Sequence, residues 1–154
     1  MRLIFAGSSQ FAVPALRGLL EVSPPVLVLS RPERPAGRNL KPRLCPLAEF
    51  AQSKGLSLSQ PEDVNSPESV QSIRSLEADL LITASYGAML RKPLRESTRL
   101  GAINLHPSLL PLHRGATPVQ SALLNGDSLT GTTIFALNSR LDAGPILAQR
   151  ELPI

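Results

Sequence analysis

With 154 residues, 42% of them hydrophobic and 18% charged, the chain is long enough for one domain with a sizeable core and too apolar to be disordered. Its formal net charge is +4 and 13 of its 16 basic residues are Arg, which admits a nucleic acid or other polyanion as partner, although a solvated Arg-rich surface has the same balance. A single cysteine, Cys45, rules out an internal disulfide and reads as a small packing residue; with only two histidines beside it, a structural zinc site is not expected, nor any other metal.

In chain order, the first apolar run, Leu3 to Ala6, reads as a strand. It stops at Gly7, too soon for the core of a signal peptide, and no stretch approaches the roughly 20 apolar residues of a membrane span, so a cytoplasmic protein with no membrane partner is expected. Ala12, Ala15, Leu16, Leu19 and Leu20 recur at helical spacing, with Pro14 tolerated in the first turn. Val26 to Leu29 is a second strand. The connection from Arg31 to Pro46 then carries four prolines and five cations, Arg31, Arg34, Arg38, Lys41 and Arg43, against the single acid Glu33; it is expected to be a loop that does not hold one shape.

Leu47 to Lys54 is helical, and Leu56 and Leu58 mark a short strand. Ser66-Pro67-Glu68 has the form of an N-cap, a proline at the first helical position and an acid in the first turn, opening a helix that runs to about Leu76. Leu80 to Ala84 and Ala102 to Leu105 are the third and fourth main strands. Thr117-Pro118-Val119-Gln120 fits a capping box, for a helix with Val119, Ala122 and Leu123 on its inner face and a stop at Asn125-Gly126. Thr132 to Leu137 and Ile146 to Gln149 close the chain as two strands. The alternation predicts an α/β fold, an open and mostly parallel Rossmann-like sheet with helices on both faces and its ligand at the carboxyl ends of the strands. The first turn, F-A-G-S-S-Q-F, has one glycine and no Walker lysine, so it is not a nucleotide phosphate cradle.

The residues that packing does not ask for are Asn104 and His106, two apart at the end of an apolar strand and so on the same side of it. A fixed amide donor beside an imidazole suits a carbonyl oxygen that becomes an oxyanion. An isolated pair of this kind is equally a strand end that caps a loop and bonds backbone. Asp142, in N-S-R-L-D-A-G, can orient His106 if its loop returns to the carboxyl end of the sheet, and is otherwise an ordinary turn aspartate. His113 reads as a loop residue.

The run I-N-L-H-P-S-L-L-P-L-H-R-G-A-T-P-V-Q, followed by L-N-G-D-x-x-T-G-T-T-I and L-D-A-G-P-I-L, resembles the formyltransferases that use 10-formyltetrahydrofolate. F-A-G-S-S-Q-F-A-V-P-A-L, R-P-E-R-P-A-G-R and I-T-A-S-Y-G-A-M-L resemble the tRNA-directed branch of that family, in order and over essentially the whole chain. The resemblance implies that residues 1–154 are the N-terminal catalytic domain, with the C-terminal barrel absent. It implies a monomer that transfers the formyl group of 10-formyltetrahydrofolate to the α-amine of initiator methionyl-tRNA. By the same likeness Asn104, His106 and Asp142 are catalytic. Ser108, Leu109, Leu110 and Pro111 bind folate, and Tyr86, Gly87, Met89 and Leu90 line the pterin pocket. Arg38 meets the tRNA acceptor end, with Arg34, Lys41 and Arg43 as further contacts to the tRNA.

The chain departs from the family pattern at Ser8-Ser9, where Thr-Pro is usual, at Arg91, at Arg31-Pro32-Glu33 and at Thr117. Two other readings remain open at this point: the same chemistry on a sugar-nucleotide or purine-precursor amine, and a folate- or tRNA-binding module without turnover.

Overall fold

The computed structural model describes residues 1–36 and 41–154. Five parallel strands form the body of one sheet: β1 (Leu3–Gly7), β2 (Leu27–Leu29), β5 (Leu58–Ser59), β6 (Leu80–Ala84) and β7 (Ala102–His106). The sheet continues through β8 (Leu129–Ala136) and β9 (Ile146–Pro153), both antiparallel to their predecessors, in the order β5-β2-β1-β6-β7-β8-β9. The helices are α1 (Ala12–Val22), α2 (Pro46–Ser53), α3 (Pro67–Arg74), α4 (Lys92–Arg95) and α5 (Pro118–Asn125). Among the described residues no helix is long and apolar enough to cross a membrane.

β1 sits at the centre of the five parallel strands and every one of its residues is buried, as expected of a parallel strand covered on both faces. Alternation divides it: Ile4 and Ala6 join the cluster under α3 and α4, with Val70, Ile73 and Leu94, whereas Phe5 joins Leu16, Leu47 and Ala51 under α1 and α2. Position 7 admits only glycine, because a Cβ there would stand 2.7 Å from Ala12 Cβ and 2.8 Å from the Ala84 carbonyl. Ser8, one of the departures from the family pattern, ties three strand ends together: its hydroxyl donates to the Tyr86 carbonyl at 2.9 Å and accepts the Arg31 amide at 3.2 Å. In α3 the Ser66 hydroxyl accepts the Ser69 amide, so that cap forms as the sequence predicts.

Three expectations are corrected. The proline-rich connection is not wholly a loop, because β3 (Arg34–Ala36) and β4 (Lys41–Arg43) pair antiparallel across it. Thr117 precedes α5 but its side chain caps nothing; instead its carbonyl accepts both the amide and the hydroxyl of Ser121. The buried side of α5 is Pro118 and Ala122, while Val119 and Leu123 are exposed. The sequence reading also passed over α4, a single turn too short to show periodicity.

Candidate active site

The carboxyl ends of β1, β6 and β7 open into a cleft of about 870 Å³. One wall is the turn after β6, Ser85 to Leu90; the opposite wall is the segment Leu137 to Asp142, and the start of α5 closes one side. The second wall arrives by an indirect route. Because β8 runs against β7, it delivers the chain to the amino end of β7, where the Leu137 amide donates to the Ala102 carbonyl at 2.8 Å. Residues 137–145 then fold back over the sheet, closed at the base by the Ala136 amide on the Pro145 carbonyl, and bring Asp142 to His106 at the far end of β7. The span covered is roughly 13 Å at strand rise.

Asn104 stands in register with Thr83 of β6, and the buried Thr83 hydroxyl donates to Asn104 Oδ1 at 2.7 Å. The same hydroxyl lies 3.1 Å from the Ile103 carbonyl; with the Asn104 oxygen placed toward β6, its NH₂ is left to donate toward the cleft. His106 is buried, with its ring edge-to-face against Phe135 at 6.5 Å between centroids. Its Nε2 lies 3.0 Å from the His113 carbonyl oxygen. A carbonyl only accepts, so Nε2 carries the proton and Nδ1 is the nitrogen that faces Asp142, whose Oδ2 is 3.8 Å away. This separation is longer than a hydrogen bond, so the two groups face one another without a direct bond. Asp142 itself has a positive φ of 45°, and its Oδ2 accepts the Gly115 amide at 2.8 Å.

The other residues singled out from the sequence divide. Tyr86, Gly87, Met89 and Leu90 line the cleft. Tyr86 is nearly inaccessible, its hydroxyl has no partner among the described residues, and burial pushes its pKa up to about 12. Asn65, which the sequence reading missed, braces this wall: its side chain donates to the Met89 carbonyl at 3.0 Å and accepts the Arg91 amide at 2.7 Å. The segment Ser108 to Pro111, expected to meet folate, directly follows Pro107, which lines the cleft. The Ser108 side chain points inward, donating to the Leu112 carbonyl at 2.7 Å, and the turn is bonded from behind by Thr133 of β8 and Gln149 of β9. Arg38 lies outside the described residues. Arg34 pairs with Glu62 at 2.7 Å on the surface, Lys41 lends its backbone to β4, and the exposed Arg43 stands across the hairpin from Arg34.

A family model described as formyl transferase matches residues 1–154, the whole chain. The chain belongs to the formyl transferase family. It is 47% identical over its full length to a methionyl-tRNA formyltransferase of Acidothermus cellulolyticus, of which it covers 48%, and it spans about half the length of the curated relatives it matches. Among solved structures it is similar to the phosphoribosylglycinamide formyltransferase of Streptococcus pneumoniae TIGR4, with a TM-score of 0.79 at 21% identity, covering 99% of this chain and 82% of that one. It is also similar to WlaRD, a sugar 3N-formyl transferase solved with dTDP and 5-N-formyl-THF, with a TM-score of 0.68 at 18% identity, covering all of this chain and 52% of that one. These likenesses establish the formyl transferase fold, whose mostly parallel sheet agrees with the architecture read from the sequence.

Within this formyl transferase fold the polar residues that set up the cleft were harder to read than those that face it. Thr83 sits in the apolar run L-L-I-T-A, and its one available signal was being the lone hydroxyl in a buried strand. Asn138, whose side chain donates to the Ala143 carbonyl at 3.1 Å and accepts the Arg140 amide at 2.8 Å, shapes the returning loop and had only the N-S-R turn composition to announce it.

Proposed function

We propose that this chain is the catalytic domain of a methionyl-tRNA formyltransferase, transferring the formyl group of 10-formyltetrahydrofolate to the α-amine of initiator methionyl-tRNA. The observation that carries the reading is the convergence of the free Asn104 amide, His106 Nδ1 and the Asp142 carboxylate at the head of one deep cleft. Relatives at 47% identity that bear the name support the acceptor, and a fold neighbour solved with a formyl-folate supports the donor class.

In this reading the amine attacks the formyl carbon, a new carbon–nitrogen bond forms, and the carbonyl oxygen takes the charge. The Asn104 NH₂ donates to that oxygen, and so does Nδ1 of His106 in its imidazolium form. Asp142 faces the same nitrogen, holds the imidazolium in place and receives the amine proton through a water on its way to the departing folate nitrogen. When the carbon–nitrogen bond to the folate breaks, that proton ends on the folate and no co-reactant is consumed. Tyr86 to Leu90 form the wall for the flat pterin, and the basic β3–β4 segment, with Arg34, Lys41, Arg38 and Arg43, faces the RNA, its affinity falling steeply with salt as counterions are released.

The test is single-turnover formyl transfer from 10-formyltetrahydrofolate to initiator methionyl-tRNA, with glycinamide ribonucleotide and an amino-sugar nucleotide as competing acceptors. Transfer to methionyl-tRNA alone is expected, and Asn104→Ala should slow it by about 10²–10³-fold, the usual effect of removing one oxyanion donor. Faster transfer to either small acceptor overturns the assignment of the acceptor. A formyl-folate analogue that fails to bind, followed by calorimetry, overturns the assignment of the cleft.

A further inference from the structure

Apart from the three residues already placed, the chain holds a second histidine–aspartate pair. His113 Nε2 lies 2.5 Å from Asp127 Oδ2, with both side chains largely covered. Asp127 belongs to the turn that ends α5: its amide donates to the Ala122 carbonyl at 3.1 Å, and Asn125 Nδ2 donates to its Oδ1 at 2.6 Å. The Asn125 amide and then the His113 ring hold this carboxyl below the usual carboxylate range, so the pair has a charged anchor near neutral pH.

The position of His113 is what gives the pair a consequence. Its backbone is left-handed, at φ 52°, a region that a residue with a Cβ seldom occupies unless something holds it there. Its carbonyl is the acceptor for His106 Nε2. Two residues on, Gly115 at φ 105° turns its amide onto Asp142 Oδ2. One short turn therefore grips His106 through a carbonyl and Asp142 through an amide, while the His113 ring fastens the same turn to α5 from behind.

We propose that the His113–Asp127 pair is a positioning device: it holds the 113–115 turn in its left-handed form and thereby fixes His106 as the tautomer with its proton on Nε2 and Nδ1 turned toward Asp142 and the cleft. The inference rests on the reading of this cleft as a formyl-transfer site only for its catalytic consequence. His113 and Asp127 touch neither substrate nor the reacting atoms. They act through His106.

The chain has two histidines, so ¹⁵N-histidine labelling gives two imidazole patterns that are assigned by mutation, and each nitrogen reports by its shift whether it is protonated. Recorded where both rings are neutral, the full chain should show His106 as a single tautomer protonated on Nε2. Asp127→Ala and His113→Phe should each give a mixture in which the Nδ1-protonated form of His106 is visible, and Asp127→Asn, which keeps an acceptor oxygen for the ring, should retain the single form. In single-turnover formyl transfer the first two variants should lose about 10–100-fold in rate, as loss of a group that orients a ligating or reacting side chain does elsewhere, with no change in affinity for a formyl-folate analogue.

A single, unchanged His106 tautomer in both Asp127→Ala and His113→Phe overturns the proposal. If Asp127→Ala does not fold, the similarly sized His113→Phe decides; loss of the native amide spectrum in both also overturns it, because the pair would then be a structural anchor. A chain that shows the tautomer change yet transfers no formyl group leaves the positioning device standing and removes the formyl-transfer reading.

Discussion

Two proline-rich connections leave the carboxyl end of the sheet, one after β7 and one after β2, and they are built in opposite ways. Pro107 to Thr117, after β7, turns back against β8 and β9: the buried Thr133 hydroxyl donates to the Ser108 carbonyl and accepts the Leu110 amide, and Gln149 reaches the Leu110 carbonyl. Arg31 to Pro46, after β2, runs outward into the β3–β4 hairpin, whose described side chains are exposed and whose one ion pair among the described residues, Arg34 with Glu62, stands in water. Both connections carry prolines, two in Pro107 to Thr117 and four in Arg31 to Pro46, and proline does not decide how each is held. What decides is whether a neighbouring strand supplies buried polar partners for the backbone of the turn.

That contrast is broken most directly at Thr133. Thr133→Val removes the hydroxyl and leaves the Ser108 carbonyl and the Leu110 amide buried without a partner, which should cost about 3 kcal/mol of unfolding free energy in urea and loosen the turn that carries His113. A loss no larger than for an exposed threonine would show that the turn holds itself.

A middle-sized effect is expected at Tyr86, whose carbonyl is joined to the start of the second connection through the Ser8 hydroxyl and the Arg31 amide. Its phenol is buried without a partner, so Tyr86→Phe should raise stability by about 1 kcal/mol at neutral pH. The folded-state pKa is raised from 10.0 to about 12, so the native state keeps this proton longer than the unfolded chain, and the fold loses stability as pH rises from 10.0 toward about 12. Tyr86 is the one tyrosine, so phenolate absorbance on raising the pH reads it directly; a midpoint near 10.0 in the folded protein would contradict its burial.

The smallest effect sharpens the other side of the comparison. Arg34→Ala deletes an exposed ion pair and should change stability by no more than about 0.5 kcal/mol, with less effect still at high salt. A loss comparable to that of Thr133→Val would mean that the hairpin is fixed as firmly as the turn after β7.

Periodicity determined most of the scaffold. The buried strands β1, β2, β6 and β7, the inner side of α1, the Ser66 cap and the stop at Gly126 are local decisions, set by side chains within a few residues of one another, and they are legible in the chain. Asn104 and His106 stood out for the same reason, as polar groups where an apolar strand should end. Only the tertiary structure decided what these groups do there. The orientation of the Asn104 amide depends on Thr83, 21 residues away on the neighbouring strand, and the tautomer of His106 on a carbonyl in a left-handed turn. Asp142 reaches the site because β8 runs antiparallel and its loop folds back over the sheet, a direction that no spacing encodes. Ser108 to Pro111 carried a specific motif, and the buried Ser108 and Leu110 are fastened from behind by hydrogen-bond partners on β8 and β9 that the chain acquires only when the sheet closes around them.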